Sequence, residues 1–304
     1  MPGPGVGSDA TMRPASRGVA IMTAVALIGA ASACAGPSSS SAPVASASTS
    51  VAPSASAASP ASSASSAASQ SVVPTANPAE VIEGEAYRPD IDPAGFTTDV
   101  SNRYMPLIPG TVFIFEGEEE RVETAVTDQT RTVMGIETVV VRDRAFEGDA
   151  LIEDTLDWFA QDAAGNVWYF GEDTAECEDG RIASTHGAWE AGVDGAQPGV
   201  VMLARPQVGE SYRQEFLEGE AEDVARVLDV DATVKAGSST YRDAIVTEDF
   251  TALEPGIVEQ KAYAPGIGLV QVTTVRGGSG VERLADVQTG VSAASMPAGN
   301  LCRS

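Results

Sequence analysis

Leu151-Ile-Glu-Asp-Thr-Leu-Asp-Trp-Phe-Ala-Gln161, the turn Asp162-Ala-Ala-Gly-Asn166 and the run Val167-Trp-Tyr-Phe170 decide the fold of this chain. In the first run Ile152, Leu156, Trp158 and Ala160 fall on one side, and Glu153, Thr155 and Asp157 on the other. That is the two-residue period of a strand with one apolar face. Asp154 shares the apolar side, where desolvation raises a carboxyl's proton affinity unless a base or amide meets it. The other reading of Asp154 is a strand-edge position that reaches water. The turn residues then send the chain back as a hairpin.

Upstream the pattern is the same. Thr111 to Phe115 is aromatic and β-branched, and Glu116-Gly117-Glu118 ends it. Arg121 to Thr127 sets Val122, Thr124 and Val126 on one face, and Thr138 to Val141 follows Gly135. Strand after strand with turn punctuation predicts an antiparallel meander. Gly219 to Val230 mixes acidic and apolar residues as a helix could, yet Val224, Leu228 and Val230 fit a strand as well. A second half echoes the first. Gly209 to Glu220 matches Gly110 to Glu118, Tyr241 to Val246 matches Val139 to Val141, and Glu259 to Ala264 matches Thr155 to Ala160. The expectation is an all-β domain: one curved sheet or open barrel of about ten strands, built from repeats at 110–175 and 209–287.

The N-terminal region differs in kind. Arg13 and Arg17 precede the uncharged run Val19 to Ala30, which leads into Ala31-Ser-Ala-Cys34. A basic start, a short apolar run and small residues describe a secretory signal over residues 1–33. The small residues before Cys34 resemble the lipobox of bacterial lipoproteins, with Ala31 where leucine is usual. The resemblance implies cleavage before Cys34 and a lipid on its thiol, which tethers an extracytoplasmic protein to the membrane. An uncleaved span is the alternative, but Val19 to Ala33 as a helix reaches roughly 22 Å against a hydrocarbon core of about 30 Å. Two acyl chains hold a protein stably where one is marginal.

Residues 36–79 are mostly Ser, Ala, Pro and Thr without Asp, Glu, Lys or Arg. With Cys34 they make a disordered spacer over 34–79, a flexible coil spanning roughly 35–40 Å and open to O-linked sugars. Every Trp, Tyr and Phe lies in the remainder, so 80–304 is the folded domain. The chain carries 43 acids and 18 bases. Cleavage before Cys34 removes one acid, Asp9, and two bases, Arg13 and Arg17, which leaves a net charge of −26. Nucleic acid and anionic headgroups would be repelled. Cys177 and Cys302 either pair, as an oxidising envelope allows, or stand as two thiols.

Three phrases bear a resemblance of their own: Asn102-Arg-Tyr-Met-Pro-Leu-Ile-Pro-Gly110, Asp157-Trp-Phe-Ala-Gln-Asp-Ala-Ala-Gly-Asn-Val-Trp-Tyr-Phe-Gly-Glu172 and Trp189-Glu-Ala-Gly-Val-Asp-Gly195. They look like a group of secreted bacterial proteins of unassigned function, over residues 96 to about 287. At the level of pattern the sheet also resembles the half-barrel lipoprotein carriers and their mycobacterial lipid-binding relatives, which curl an antiparallel sheet around an apolar hollow. That resemblance implies an apolar or amphipathic ligand.

Catalytic and metal signatures are missing from the sequence. His186 is the single histidine, and there is neither a zinc motif nor a Gly-x-Ser-x-Gly elbow. Gly266-Ile-Gly268 reads as a strand turn. No cofactor is expected. The stretch Ser184 to Pro206 is not explained by strand patterning and lies at the seam of the proposed repeats; long loops of this kind are often functional. It holds His186, Trp189, Glu190 and Asp194, a ring and acceptors suited to a sugar, a cation or calcium. The same loop could simply plug one end of a barrel with its tryptophan. The leading expectation is therefore a non-enzymatic, lipid-anchored envelope protein holding an apolar or amphipathic ligand. Alternatives are an interaction module presenting an acidic β surface to wall polymer or a secreted partner, and a hydrolase using acids near Trp189.

Overall fold

The computed structural model describes residues 87–118, 120–292 and 302; the signal segment, Cys34 and the spacer lie outside the described residues. Three short strands, β1 (Phe96–Thr97), β2 (Val100–Asn102) and β3 (Met105–Leu107), lead into a first meander. It runs through β4 (Val112–Glu116), β5 (Glu120–Val133), β6 (Ile136–Glu147), β7 (Ala150–Asp162) and β8 (Val167–Glu178). Five short strands cross to the second half: β9 (Arg181–Ser184), β10 (Trp189–Glu190), β11 (Gln197–Met202), β12 (Ser211–Arg213) and β13 (Glu215–Phe216). The second meander is β14 (Asp223–Ala236), β15 (Ser239–Thr251), β16 (Val258–Ala264), β17 (Gly268–Arg276) and β18 (Val281–Gln288).

The expected all-β sheet is what forms. Its long strands follow one antiparallel path, β14-β15-β16-β17-β18-β4-β5-β6-β7-β8, with β18 paired to β4 so that the last strand joins the first meander. The halves match in detail. Gly110 N–H donates to Val126 and Val126 N–H to Thr111, each at 2.9 Å; Gly209 donates to Val227 and Val227 to Glu210 at 2.8 and 2.9 Å. The strands that follow, β5 and β14, both span 14 residues. Gly219 to Val230 contributes the start of β14, so the helical alternative falls away.

The sheet curls into a nearly closed barrel. Ser211–Phe216 makes the closure: its first half pairs with β14 and its second with β11, which itself pairs with β8. Ser184 to Pro206, expected as a long loop, thus supplies two strands, because its backbone completes the edge that β8 leaves open. Two glycines permit the close approach. A Cβ on Gly199 would lie 2.2 Å from the carbonyl carbon of Gln214, and one on Gly171 would lie 2.3 Å from the carbonyl oxygen of Trp189.

Closure changes which side of β7 meets water. Thr155 and Asp157, expected to face solvent, are wholly buried, while Ile152 and Leu156 keep partial exposure. Asp154 does not reach water at an edge. It is buried and takes two hydrogen bonds from Arg142, at 2.8 and 2.6 Å. Removing one partner of such a pair costs about 3–5 kcal/mol, since the other charge is left buried and alone. The hairpin β2–β3 packs Val100, Tyr104, Met105 and Leu107 into the core. Asn102 donates to the carbonyls of Gly165 and Leu203, and Arg103 accepts from Gly266, which fixes the hairpin over the turns ending β7 and β16.

Gly199→Ala should therefore destabilise the protein by about 2–4 kcal/mol, as overpacking does where backbone must move. Gly95→Ala, with nothing within 4 Å of the added carbon, should stay within about 0.5 kcal/mol. Urea denaturation of the two variants checks the difference.

Candidate functional site

Alternation places the odd-numbered residues of β7 on the inner wall. Asp157 stands opposite Glu172 in the ladder and Phe159 opposite Tyr169. Across the other neighbour, Asp143 stands opposite Thr155 and Val141 opposite Asp157. In the second half Thr247 faces Lys261 and Asp249 faces Glu259. The interior is thus polarised along its axis. Toward the hairpin plug it is apolar, with Phe159, Val141, Ile245 and Leu269 buried. Toward the opposite end it carries carboxyls: Asp143, Glu153, Asp157 and Glu172 from the first meander, and Asp249, Glu259 and Glu282 from the second.

One ammonium, that of Lys261, sits among these acids. Its Nζ lies 3.1 Å from Asp249 Oδ2. Thr247 donates to the other oxygen of Asp249 at 2.5 Å, and Gln214 donates to Oδ2 at 3.3 Å. Neighbouring Asp249, Tyr263 and Glu259 hold the Lys261 amine strongly protonated against the opposing effect of burial. Beside it Met105, Phe159, Val201, Gln214, Tyr263 and Leu269 line a cavity of about 20 Å³, room for one water and far too little for an acyl chain.

The first-half acids are less well met. The Tyr169 hydroxyl donates to Asp157 Oδ1 at 2.7 Å and Thr124 to Asp143 Oδ1 at 3.0 Å. The second oxygens of Asp157, Asp143 and Glu172 have no hydrogen-bond partner, and the Glu215 carboxyl on the closing strand meets the Trp189 N–H and the Asp223 backbone only loosely, short of full hydrogen-bond geometry. Burial is the chief cause that raises the carboxyls of Asp157, Glu172 and Glu215 well above the usual range, and mutual repulsion adds to it. Trp189 lies over this group. Its backbone pairs with Glu172, its ring meets that of Tyr169 edge-on at 5.3 Å, and Tyr169 stacks on Phe159 at 4.9 Å. The Trp189 indole N–H, also buried, faces the Glu215 carboxyl without reaching full hydrogen-bond geometry.

The residues singled out in Ser184 to Pro206 do not converge. Only Trp189 turns inward. Glu190, the next residue on the strand, points to the opposite face and pairs with Arg131 at 2.5 Å, whose guanidinium lies 4.0 Å over the Trp158 ring. Asp194 is exposed at a turn with φ of 52°. His186 lies 3.5 Å from Glu220, with both side chains about half exposed. Cys177 and Cys302 are brought together as a disulfide with Cα atoms 5.8 Å apart, within the span such a bond requires. Among the described residues, no three Asp, Glu, His or Cys side chains are grouped to hold a metal ion. Sequence reading missed Glu172, Glu215, Asp249 and Lys261. The available signal was Glu259-Gln-Lys261-Ala-Tyr263, where charged residues share the face of a tyrosine.

No family model matches the chain, and no curated protein matches it. Among solved structures it is similar to a putative exported protein with YmcC-like fold from Bacteroides fragilis. The two are 12% identical over 62% of this chain and 100% of that one, with a TM-score of 0.38. It is also similar to a putative lipoprotein from Parabacteroides distasonis, 9% identical over 62% of this chain and 99% of that one, with a TM-score of 0.32.

The buried carboxyls set a pH dependence. Burial pushes Asp143 and Glu153 up to about 7 and Glu282 up to about 8, whereas the unfolded chain titrates them near 4. The folded state therefore keeps protons that the unfolded chain releases. Stability from these groups is complete below about pH 4 and is lost as pH rises through 7 to 8. The thermal midpoint should be higher at pH 5 than at pH 8.5. A midpoint that is flat or that rises over this interval would contradict the burial of these acids.

Proposed function

We propose that this chain is a non-enzymatic, extracytoplasmic binding protein, tethered by lipid on Cys34, whose barrel holds a small amphipathic ligand. The observation that carries the reading is the set of buried, incompletely partnered polar groups around Trp189, Asp157, Glu172 and Glu215. A folded chain rarely leaves such groups unmet unless something else meets them. The apolar stretch beside them, Phe159 to Leu269, suits the other end of an amphipathic molecule. Since the cavity beside Lys261 has room for one water, a ligand enters by parting of the closing strand Ser211–Phe216 from β11 or β14. The basic start, the apolar run and Cys34 support export and lipidation, and the pairing of Cys177 with Cys302 suits an oxidising compartment.

Solvent extraction of the protein purified from its own cells, followed by mass spectrometry, should recover one dominant small amphipathic species. Extracts of a Trp189→Ala variant should contain much less of it. An extract with no species enriched over a control protein would overturn the reading. Independently, the protein should incorporate a labelled fatty acid in its own cells and Cys34→Ser should abolish the label; an unlabelled parent protein would contradict the lipid tether.

A second reading rests on the small cavity and the chain's net charge of −25: an interaction module whose acidic outer surface meets wall polymer or a secreted partner. Cross-linking in intact cells would then capture one dominant partner, with nothing in the extract.

A further inference from the structure

The second half of the barrel displays how its inner wall holds an ammonium: Asp249 grips Lys261 Nζ at 3.1 Å, with Thr247 and Gln214 donating to the same carboxylate. Aligning Glu259 to Ala264 with Thr155 to Ala160 sets Lys261 against Asp157. The first half thus carries an acid where the second carries the amine. Asp157 accepts from Tyr169 through one oxygen and has nothing on the other. Glu172, its ladder partner, has a bare Oε2, and Glu215 is met only loosely, by the Trp189 N–H and the Asp223 backbone. These side chains are 0%, 3% and 1% exposed, so bulk solvent does not meet them.

Trp189 adds an aromatic wall and a loosely held donor beside the acids. Its N–H, at 5% exposure, is directed at Glu215 without a full hydrogen bond, and its ring stands perpendicular to that of Tyr169. Aromatic faces beside uncompensated carboxylates form the combination that recognises an organic ammonium. A bare divalent ion needs a converging oxygen cage, and the described residues provide no such group.

We propose that the cluster of Asp157, Glu172, Glu215, Tyr169 and Trp189, reached when the closing strand parts, binds a primary ammonium head group, the polar end of an amphipathic amine. The inference rests on the binding role proposed above and names its ligand class. The ammonium donates to the bare oxygens of Asp157 and Glu172 and to Glu215, and its chain lies toward Phe159. The closing strand, which carries Glu215, is held shut by the bound charge.

Calorimetric titration of the full mature chain at pH 7.5 with n-hexylamine, 1-hexanol and calcium chloride tests this. Hexylamine should bind saturably at one site, about tenfold or more tighter than hexanol, the gain expected of charge-assisted hydrogen bonds. Asp157→Asn and Glu215→Gln should each remove that advantage. Both variants delete a buried, incompletely paired carboxyl, so their thermal midpoints at pH 8 should hold or rise, which separates loss of binding from loss of fold. Hexanol binding as tightly as hexylamine would overturn the ammonium assignment while leaving a binding protein. Saturable calcium binding without amine binding would overturn it in favour of a metal. Binding of none of the three, together with an empty extract, would overturn the binding role itself.

Discussion

The segment Ser211–Phe216 hydrogen-bonds to both free ends of the sheet, and the character of the interior depends on that double pairing. With β14 and β11 joined through it, the face bearing Asp157, Glu172, Asp249 and Glu259 is shut away from water. Without it the same residues would line an open trough, their carboxyls solvated and ordinary. The closure needs backbones within touching distance at Gly199 and Gln214, which is why no side chain is tolerated there. A small steric requirement on one strand thus has an electrostatic consequence across the whole barrel.

That consequence is a conflict between folding and charge. Burying a carboxylate without a partner costs several kcal/mol, and the usual escape is to take up a proton. Lys261 relieves Asp249, and Arg142 relieves Asp154 on the opposite face of the sheet. Asp157 and Glu172 keep oxygens with no hydrogen-bond partner, and Glu215 is met only loosely. Natural interiors satisfy nearly all such groups, and on these exceptions the proposed binding role rests. Their position next to Trp189, on the strands that close the barrel, ties the proposed occupancy to closure.

Much of the architecture was legible from alternation and turn chemistry. Asp162 to Asn166 reads as a turn because Asp162 can accept from the backbone of Ala164 and Asn166, as it does. The duplicated glycine, aromatic strand and Glu-Gly-Glu were visible because each copy solves the same hairpin problem. Legibility failed where both faces of a strand are covered. Ile152 and Leu156 identified one buried face of β7, but period-two reading then assigns Asp157 to water. Only closure, made by residues more than fifty positions away, reverses that. The length of β6 was hidden likewise, since Arg142-Asp143-Arg144 reads as a polar end and instead continues the ladder between β5 and β7. Trp189 was identifiable as a large ring in an irregular stretch, whereas Glu215 and Lys261 were hidden among many exposed acids and bases.

The central claim is that Ser211–Phe216 is paired on both sides and seals an acid-lined interior. Amide hydrogen exchange of the mature chain at pH 5, resolved to single residues, tests it most directly. The amide of Gln214, which donates to Asp223, and those of the residues paired with β11 should be protected to within about a hundredfold of the β5–β6 hairpin. Exchange of this segment at the rate of an unstructured loop, with the hairpin still protected, would mean an open sheet with solvated acids and would contradict the account.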